Sequence, residues 1–222
     1  MITERQIIRL TYIKKSGGGY DGKPSIFDNI KQEDVIMAFF PCTRFEAQIL
    51  LSFRGEAHQM KGYTDIEKLE KDLWLHQGLS ENYELITKLA IIVLKRGLRM
   101  VFENPHGSQH YLTRYWCLKP SIVDTNRRLS GDYMTKPTQY WFIGFEPQDN
   151  LVFEPIEYVE YRTHQGMTAK DGKSKTVRRS EIHPQYASRF IRQYIIDGKE
   201  LDEFGKIKTT TTDTEDETNG IH

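Results

Sequence analysis

Asp34-Val35-Ile36-Met37-Ala38-Phe39-Phe40-Pro41-Cys42 and Leu98-Arg99-Met100-Val101-Phe102-Glu103-Asn104-Pro105 are the two stretches on which the fold turns. Each is a short, almost wholly apolar run that closes on a proline-containing segment. Such runs suit strands covered on both faces, as in a parallel sheet, where neither face meets water. The strands predicted are 34–40 and 98–102. Helical patterns lie between them, over 44–53, 64–76 and 80–96. The last has Ser80 placed as an N-cap, Tyr83, Ile86, Leu89, Ala90 and Val93 at helical spacing, and Gly97 as the stop. In open α/β sheets ligands sit outside the carboxyl ends of the strands. Cys42 and Glu103 each fall just past such an end.

Outward from this centre, residues 6–13 read as a strand that runs into Lys14-Lys15-Ser16-Gly17-Gly18-Gly19. Residues 138–145 read as a strand, 150–161 hold one or two more, and 184–196 read as a final helix. Strand, helices, strand and more strand imply an α/β domain with a mostly parallel sheet flanked by helices. The expected organisation is one domain over 1–204, followed by a disordered acidic tail over 205–222. That tail carries Asp213, Glu215, Asp216 and Glu217 beside a threonine run, with almost no apolar residue.

Composition narrows the function classes. Lys+Arg and Asp+Glu both total 31 in 222 residues, so a global basic field for nucleic acid is excluded and only a local patch remains. The 12 Tyr and 11 Phe supply a core that a disordered chain lacks. Cys42 and Cys117 are too few for a disulfide framework or a cysteine-rich metal site. No signal peptide is recognisable, and runs such as Leu89-Ala90-Ile91-Ile92-Val93-Leu94 fall far short of a membrane span. A soluble protein of a reducing, cytoplasmic compartment is expected. His106 and His110 stand four apart, but Pro105 and Gly107 oppose a regular helix there, so zinc is not expected.

The chemistry sits in Phe40-Pro41-Cys42 and Phe102-Glu103-Asn104-Pro105. A thiol at a strand-to-loop turn becomes nucleophilic when its surroundings favour the thiolate. A carboxyl at the end of a neighbouring strand can hold and protonate a ring bound between the two. Attack of a thiolate on C6 of cytosine, with an acid at N3, requires this pair, and it requires a base flipped out of the helix. The plainer readings stand beside it. Cys42 also reads as a buried structural thiol, Glu103 as a helix cap or a partner of Arg99, and Tyr140-Trp141-Phe142 as sheet core.

The two segments resemble the Pro-Cys and Glu-Asn motifs of DNA cytosine-5 methyltransferases, in the degenerate form of phage-like and mobile-element homologues. The resemblance covers roughly residues 30–197. It extends to Lys136-Pro137-Thr138-Gln139-Tyr140-Trp141, similar to the segment after the Glu-Asn strand. It also includes Arg178-Arg179-Ser180-Glu181-Ile182-His183-Pro184-Gln185-Tyr186-Ala187, similar to the closing segment before the final helix. The resemblance implies a Rossmann-like core, Cys42 as nucleophile, Glu103 as the group that binds and protonates cytosine, and Asn104 as a brace for the loop. It implies S-adenosylmethionine as methyl donor and DNA as partner.

Departures from the family are as informative. Its cofactor half opens with a strand and glycine loop, then a helix and a strand ending in an acid. Here the next buried strand begins near Asp34, which leaves no room for both, although Ser16-Gly17-Gly18-Gly19 follows a strand. That half is expected to be missing, replaced or supplied by a second chain. Phe-Pro-Cys stands where Pro-Pro-Cys is usual, and the space between Phe145 and Val177 is small for a target-recognition domain. Between residues 162 and 179 six bases face one acid. They read either as a solvated loop or as phosphate contacts, with Arg127, Arg128, Lys175, Arg178 and Arg179 as the candidates. A catalytically inactive DNA-binding or regulatory remnant of the same fold is the alternative function.

Overall fold

The computed structural model describes residues 7–10, 29–40, 42–45, 49–162 and 175–196. Five strands, β1 (Ile7–Leu10), β2 (Val35–Phe39), β3 (Arg99–Pro105), β4 (Ile122–Asp124) and β5 (Thr138–Ile143), form one open sheet in the order β1-β2-β3-β5-β4. The helices are α1 (Ile49–Phe53), α2 (Asp65–Lys95), α3 (Tyr111–Tyr115), α4 (Lys175–Ser180) and α5 (Pro184–Tyr194). β1, β2 and β3 are parallel, whereas β5 runs antiparallel to both β3 and β4. The chain is therefore α/β, but its sheet is mixed rather than mostly parallel. A parallel return needs a crossover, usually a helix. Between β3 and β5 the chain forms the short α3, the edge strand β4 and a 3-10 turn at Arg127–Ser130, and β5 enters between β3 and β4 against the direction of both.

Alternation along the strands divides the core in two. Ile36, Ala38, Met100, Phe102, Trp141 and Ile143 face Ile86, Leu89, Ala90 and Val93 of α2. Val35, Met37, Val101, Tyr140 and Phe142 face Phe190 of α5 and Ile195 just beyond it. Both faces are dry, which is why β2 and β3 carry no polar alternation. Each large side chain sealed this way contributes about 1.5–3 kcal/mol.

The two helices predicted over 64–76 and 80–96 are one. It starts at Thr64, whose hydroxyl accepts from Glu67 N–H while the Glu67 carboxylate accepts from Thr64 N–H, a reciprocal box that also holds the exposed Glu67 carboxyl below its usual range. Ser80 is an exposed interior residue and not an N-cap, because Leu75, Leu79, Tyr83 and Ile86 keep one face packed straight through Gly78 and Ser80. The stop at Gly97 holds. With φ +63, Gly97 donates to Leu94 O and Leu98 donates to Val93 O, which satisfies the last carbonyls.

Two further expectations are corrected. β3 does not end at Phe102 but continues through Glu103, Asn104 and Pro105, paired with Tyr140, Gln139 and Thr138. Residues 150–161 form no strand. Their backbone is bonded by side chains of α5 instead: Arg189 donates to Val152 O and Glu154 O, and Gln185 accepts from Glu157 N–H. Of the helix predicted over 44–53, a 3-10 turn at Cys42–Arg44 and α1 are seen. The glycine run at 17–19, Pro41 and the tail over 205–222 lie outside the described residues. Among the described residues no helix is long and apolar enough to cross a membrane.

Candidate active site

β2 delivers the thiol. Beyond Phe39 the chain is pinned twice: Phe40 stands edge-on to Phe102 at 5.0 Å, and Phe45 is sealed against Tyr83 and His110. Between these pins Phe45 N–H closes the 3-10 turn onto Cys42 O at 2.8 Å, and Tyr111 N–H donates to Phe45 O at 2.9 Å. Arg44 lies across α2, its guanidinium 4.0 Å above the Trp74 ring. A Cβ at residue 78 would stand 2.7 Å from Arg44 Nε, so the glycine in mid-helix is the notch that seats this side chain. Cys42 itself is half-buried and carries no disulfide.

β3 delivers the acid. Glu103 is the register partner of Phe39 on one side and Tyr140 on the other, so period-2 alternation puts it on the α5 face with Val101. Phe39 and Glu103 are neighbours across a parallel pair, and Cys42 is three residues further on. Their spacing bounds the Cys42–Glu103 Cα separation at roughly 16 Å. The carboxylate is buried, with Oε1 3.9 Å from Arg127 Nη1, and Oε1 has no hydrogen-bond partner.

Arg127 was expected at a phosphate. It is instead 1% exposed, ion-paired with the buried Asp132 and stacked 4.7 Å under the Tyr186 ring. Local geometry makes this pair. The 3-10 turn Arg127–Ser130 ends on Gly131 at φ +90, a conformation that reverses the chain and brings Asp132 N–H back to Arg127 O at 3.2 Å. Asp132 then accepts from His183 N–H at 2.8 Å. Burial alone would pull the Arg127 pKa down; the charges of Tyr140, Asp132 and Glu103 outweigh it and hold it above the ordinary arginine value. Arg127 Nε is left without a partner. Tyr140 and Tyr186 share a hydrogen bond of 2.8 Å, and Tyr186 donates to Asp124 at 3.0 Å. Burial pushes both phenols far up.

On the other sheet face a second polar cluster closes the loop after β3. Asn104 is fully buried, and its Oδ1 lies 3.0 Å from His110 Nε2. Gln139 reaches Pro105 O at 2.8 Å, Thr113 at 2.9 Å and His110 Nδ1 at 3.4 Å. Burial, with a smaller contribution from His106, lowers the His110 pKa to about 4. Among the described residues no set of three potential metal ligands comes together.

A cavity of about 470 Å³ opens between β2, β5 and the start of α5, walled by Met37, Phe39, Tyr140, Glu181, Tyr186 and Phe190. Of the remaining basic candidates, Arg128 is half-buried with its guanidinium 4.6 Å over Tyr161, Arg178 is half-buried, and Arg179 is exposed. Lys175 begins α4. The Arg162–Glu181 ion pair clips the two flanks of the basic segment together.

The structure thus brings Cys42, Glu103 and Asn104 to one end of the sheet and removes Arg127 from the surface. Sequence reading missed Asp132, His110 and Tyr186 as site members. Only Gly131-Asp132 after the Arg-Arg pair hints at the first, through the turn that glycine permits. No family model, no curated protein and no solved structure matches the chain.

Proposed function

We propose that this chain is a DNA cytosine-5 methyltransferase-like protein with a Rossmann-like core, in which Cys42 is the nucleophile and Glu103 the acid. The observation that carries the reading is the pair of adjacent parallel strands whose carboxyl ends hold a half-buried thiol and a sealed carboxylate. The buried Glu103 Oε1 there lacks a hydrogen-bond partner, and such an orphan costs about 1–3 kcal/mol. A flipped pyrimidine edge offers a donor that would relieve it.

Cys42 would add as thiolate to C6, forming the S–C6 bond while ring electrons move to N3, where Glu103 delivers a proton. C5 thereby becomes nucleophilic. S-adenosylmethionine, when bound, supplies the methyl electrophile. Loss of the C5 proton to solvent, breakage of the S–C6 bond and return of the N3 proton to Glu103 then restore the aromatic ring, the thiolate and the acid. The 470 Å³ cavity is of ligand size, and its lining sets the aromatic residues Phe39, Tyr140 and Phe190 beside Glu181, residue types that suit an adenine and a ribose. Arg128, Lys175, Arg178 and Arg179 would meet DNA phosphates, giving weak, salt-sensitive affinity. Arg127 would brace Glu103 from below.

The test is a duplex carrying 5-fluorocytosine, incubated with S-adenosylmethionine. The expected product is a covalent protein–DNA adduct that resists denaturant and is abolished in Cys42→Ser. An adduct that persists in Cys42→Ser dismisses the nucleophile. A second reading, a DNA-binding remnant without catalysis, is favoured by the short connection between the adjacent strands β1 and β2, residues 11–34. It predicts no adduct and no heat of S-adenosylmethionine binding, with salt-dependent DNA binding retained. Recovery of the adduct on adding a second chain would assign that chain the cofactor half.

A further inference from the structure

We propose that His110 is a positioning residue for the Cys42 turn, passing one fixed hydrogen-bond polarity from Gln139 to Asn104 while its neighbourhood grips Phe45. The inference rests on Cys42 being the reactive thiol. The polarity follows from the proton bookkeeping of the cluster. Pro105 O can only accept, so the Gln139 atom 2.8 Å away is the amide nitrogen. The Thr113 hydroxyl, 3.0 Å from Gln139 Oε1, donates to that oxygen, which leaves the second proton of the amide nitrogen for His110 Nδ1 at 3.4 Å, so Nδ1 carries the lone pair and the ring proton sits on Nε2. Nε2–H therefore donates to Asn104 Oδ1 at 3.0 Å. Asn104 is left offering only its Nδ2 donor, a buried atom without a partner.

The grip on the turn is separate and direct. The imidazole packs against the Phe45 ring at 6.1 Å between centroids. Tyr111, the next residue, donates its N–H to Phe45 O, and Phe45 N–H donates to Cys42 O. His110 thus joins the residue after Glu103 to the turn that carries the thiol. The lowered pKa of His110, about 4, keeps the ring neutral and this tautomer intact at working pH. A charged ring would donate from both nitrogens and clash with the Gln139 amide.

Two measurements, neither involving DNA, test this. In ¹⁵N imidazole spectra of the wild-type chain, His110 is expected as the Nε2–H tautomer with a midpoint near pH 4. The Nδ1–H tautomer, or a midpoint above 6, overturns the proposal. The second is alkylation of Cys42 by iodoacetamide, read in a Cys117→Ser background because Cys117 is exposed. His110→Gln retains a donor in the Nε2 position and is expected within about twofold of the parent rate. His110→Asn, too short to reach Asn104, is expected to change the rate at least fivefold. Equal rates in all three, or equal changes in both variants, refute the role. Absence of a DNA adduct alongside the expected spectra and rates would sink the methyltransferase reading and leave this one standing.

Discussion

Replacing Arg127 by Met isolates the energetics of the acid site. Arg127 is 1% exposed, Asp132 2% and Glu103 7%, so the guanidinium faces two carboxylates that are largely shut off from water, Asp132 in direct ion pairing and Glu103 at 3.9 Å. Met approximates the arginine stem and leaves little cavity. The dominant effect is then the stranded charge, worth about 3–5 kcal/mol when one partner of a buried pair is removed. That is a large part of a typical stability of about 5–15 kcal/mol. In a chain of this size it corresponds to a fall in Tm of roughly 6–20 °C. Urea unfolding followed by circular dichroism at pH 7 reads the loss. Adding Asp132→Asn removes one stranded charge yet keeps an acceptor for His183 N–H, and is expected to recover about half. A single-variant loss under about 1 kcal/mol would show that water reaches these groups and that the sealed-pair reasoning is wrong.

Other consequences follow from the same geometry. Gly131→Ala forces a side chain into φ +90, about 1–2 kcal/mol. Its Cβ would also meet Gln185 Nε2 at 2.4 Å, whose amide is held at both ends by the Glu157 backbone. A loss above about 2 kcal/mol in chemical unfolding is expected, and a neutral result would exclude this turn as the determinant of Asp132. His110 has a folded pKa near 4 against 6.5 for an ordinary histidine, so the unfolded state binds the extra proton between these values. Stability should be full above pH 6.5 and fall by up to about 3 kcal/mol on acidification toward pH 4. His110→Gln should flatten that slope in pH-dependent unfolding, and an unchanged slope would place the titration elsewhere. Thr64→Ala opens the box at the start of α2, with an expected cost of about 1 kcal/mol and no change in Cys42 reactivity.

Much of the architecture was legible because dry faces leave a mark in local composition. The runs at 34–40 and 98–102 announced central strands, and Gly97 announced a helix end that only a positive φ can make. The errors share one cause, a local signal overruled by distant partners. Glu103 ends the apolar run and so marks a strand end in the sequence, yet its backbone goes on pairing with Tyr140. Gly78 and Ser80 look like a break between helices, but the packing of Leu75, Leu79 and Tyr83 carries α2 through them. Leu151, Val152 and Phe153 form an apolar run as strand residues do, but Leu151 and Phe153 are exposed, and the carbonyls of Val152 and Glu154 are taken by Arg189 of α5.

What the amino-acid order determined alone was the α/β class, the covered strands, and a thiol and an acid near the ends of two of them. Periodicity and turn chemistry act over a few residues and need no partner to be read. Tertiary structure alone decided that the sheet is mixed and that Arg127 lies beneath Glu103 rather than on the surface. It also decided that Asn104, His110 and Gln139 share one hydrogen-bonded cluster. Whether a charge ends in water or opposite another charge depends on which side chains, far away in sequence, exclude the solvent around it. No run of neighbouring residues encodes that.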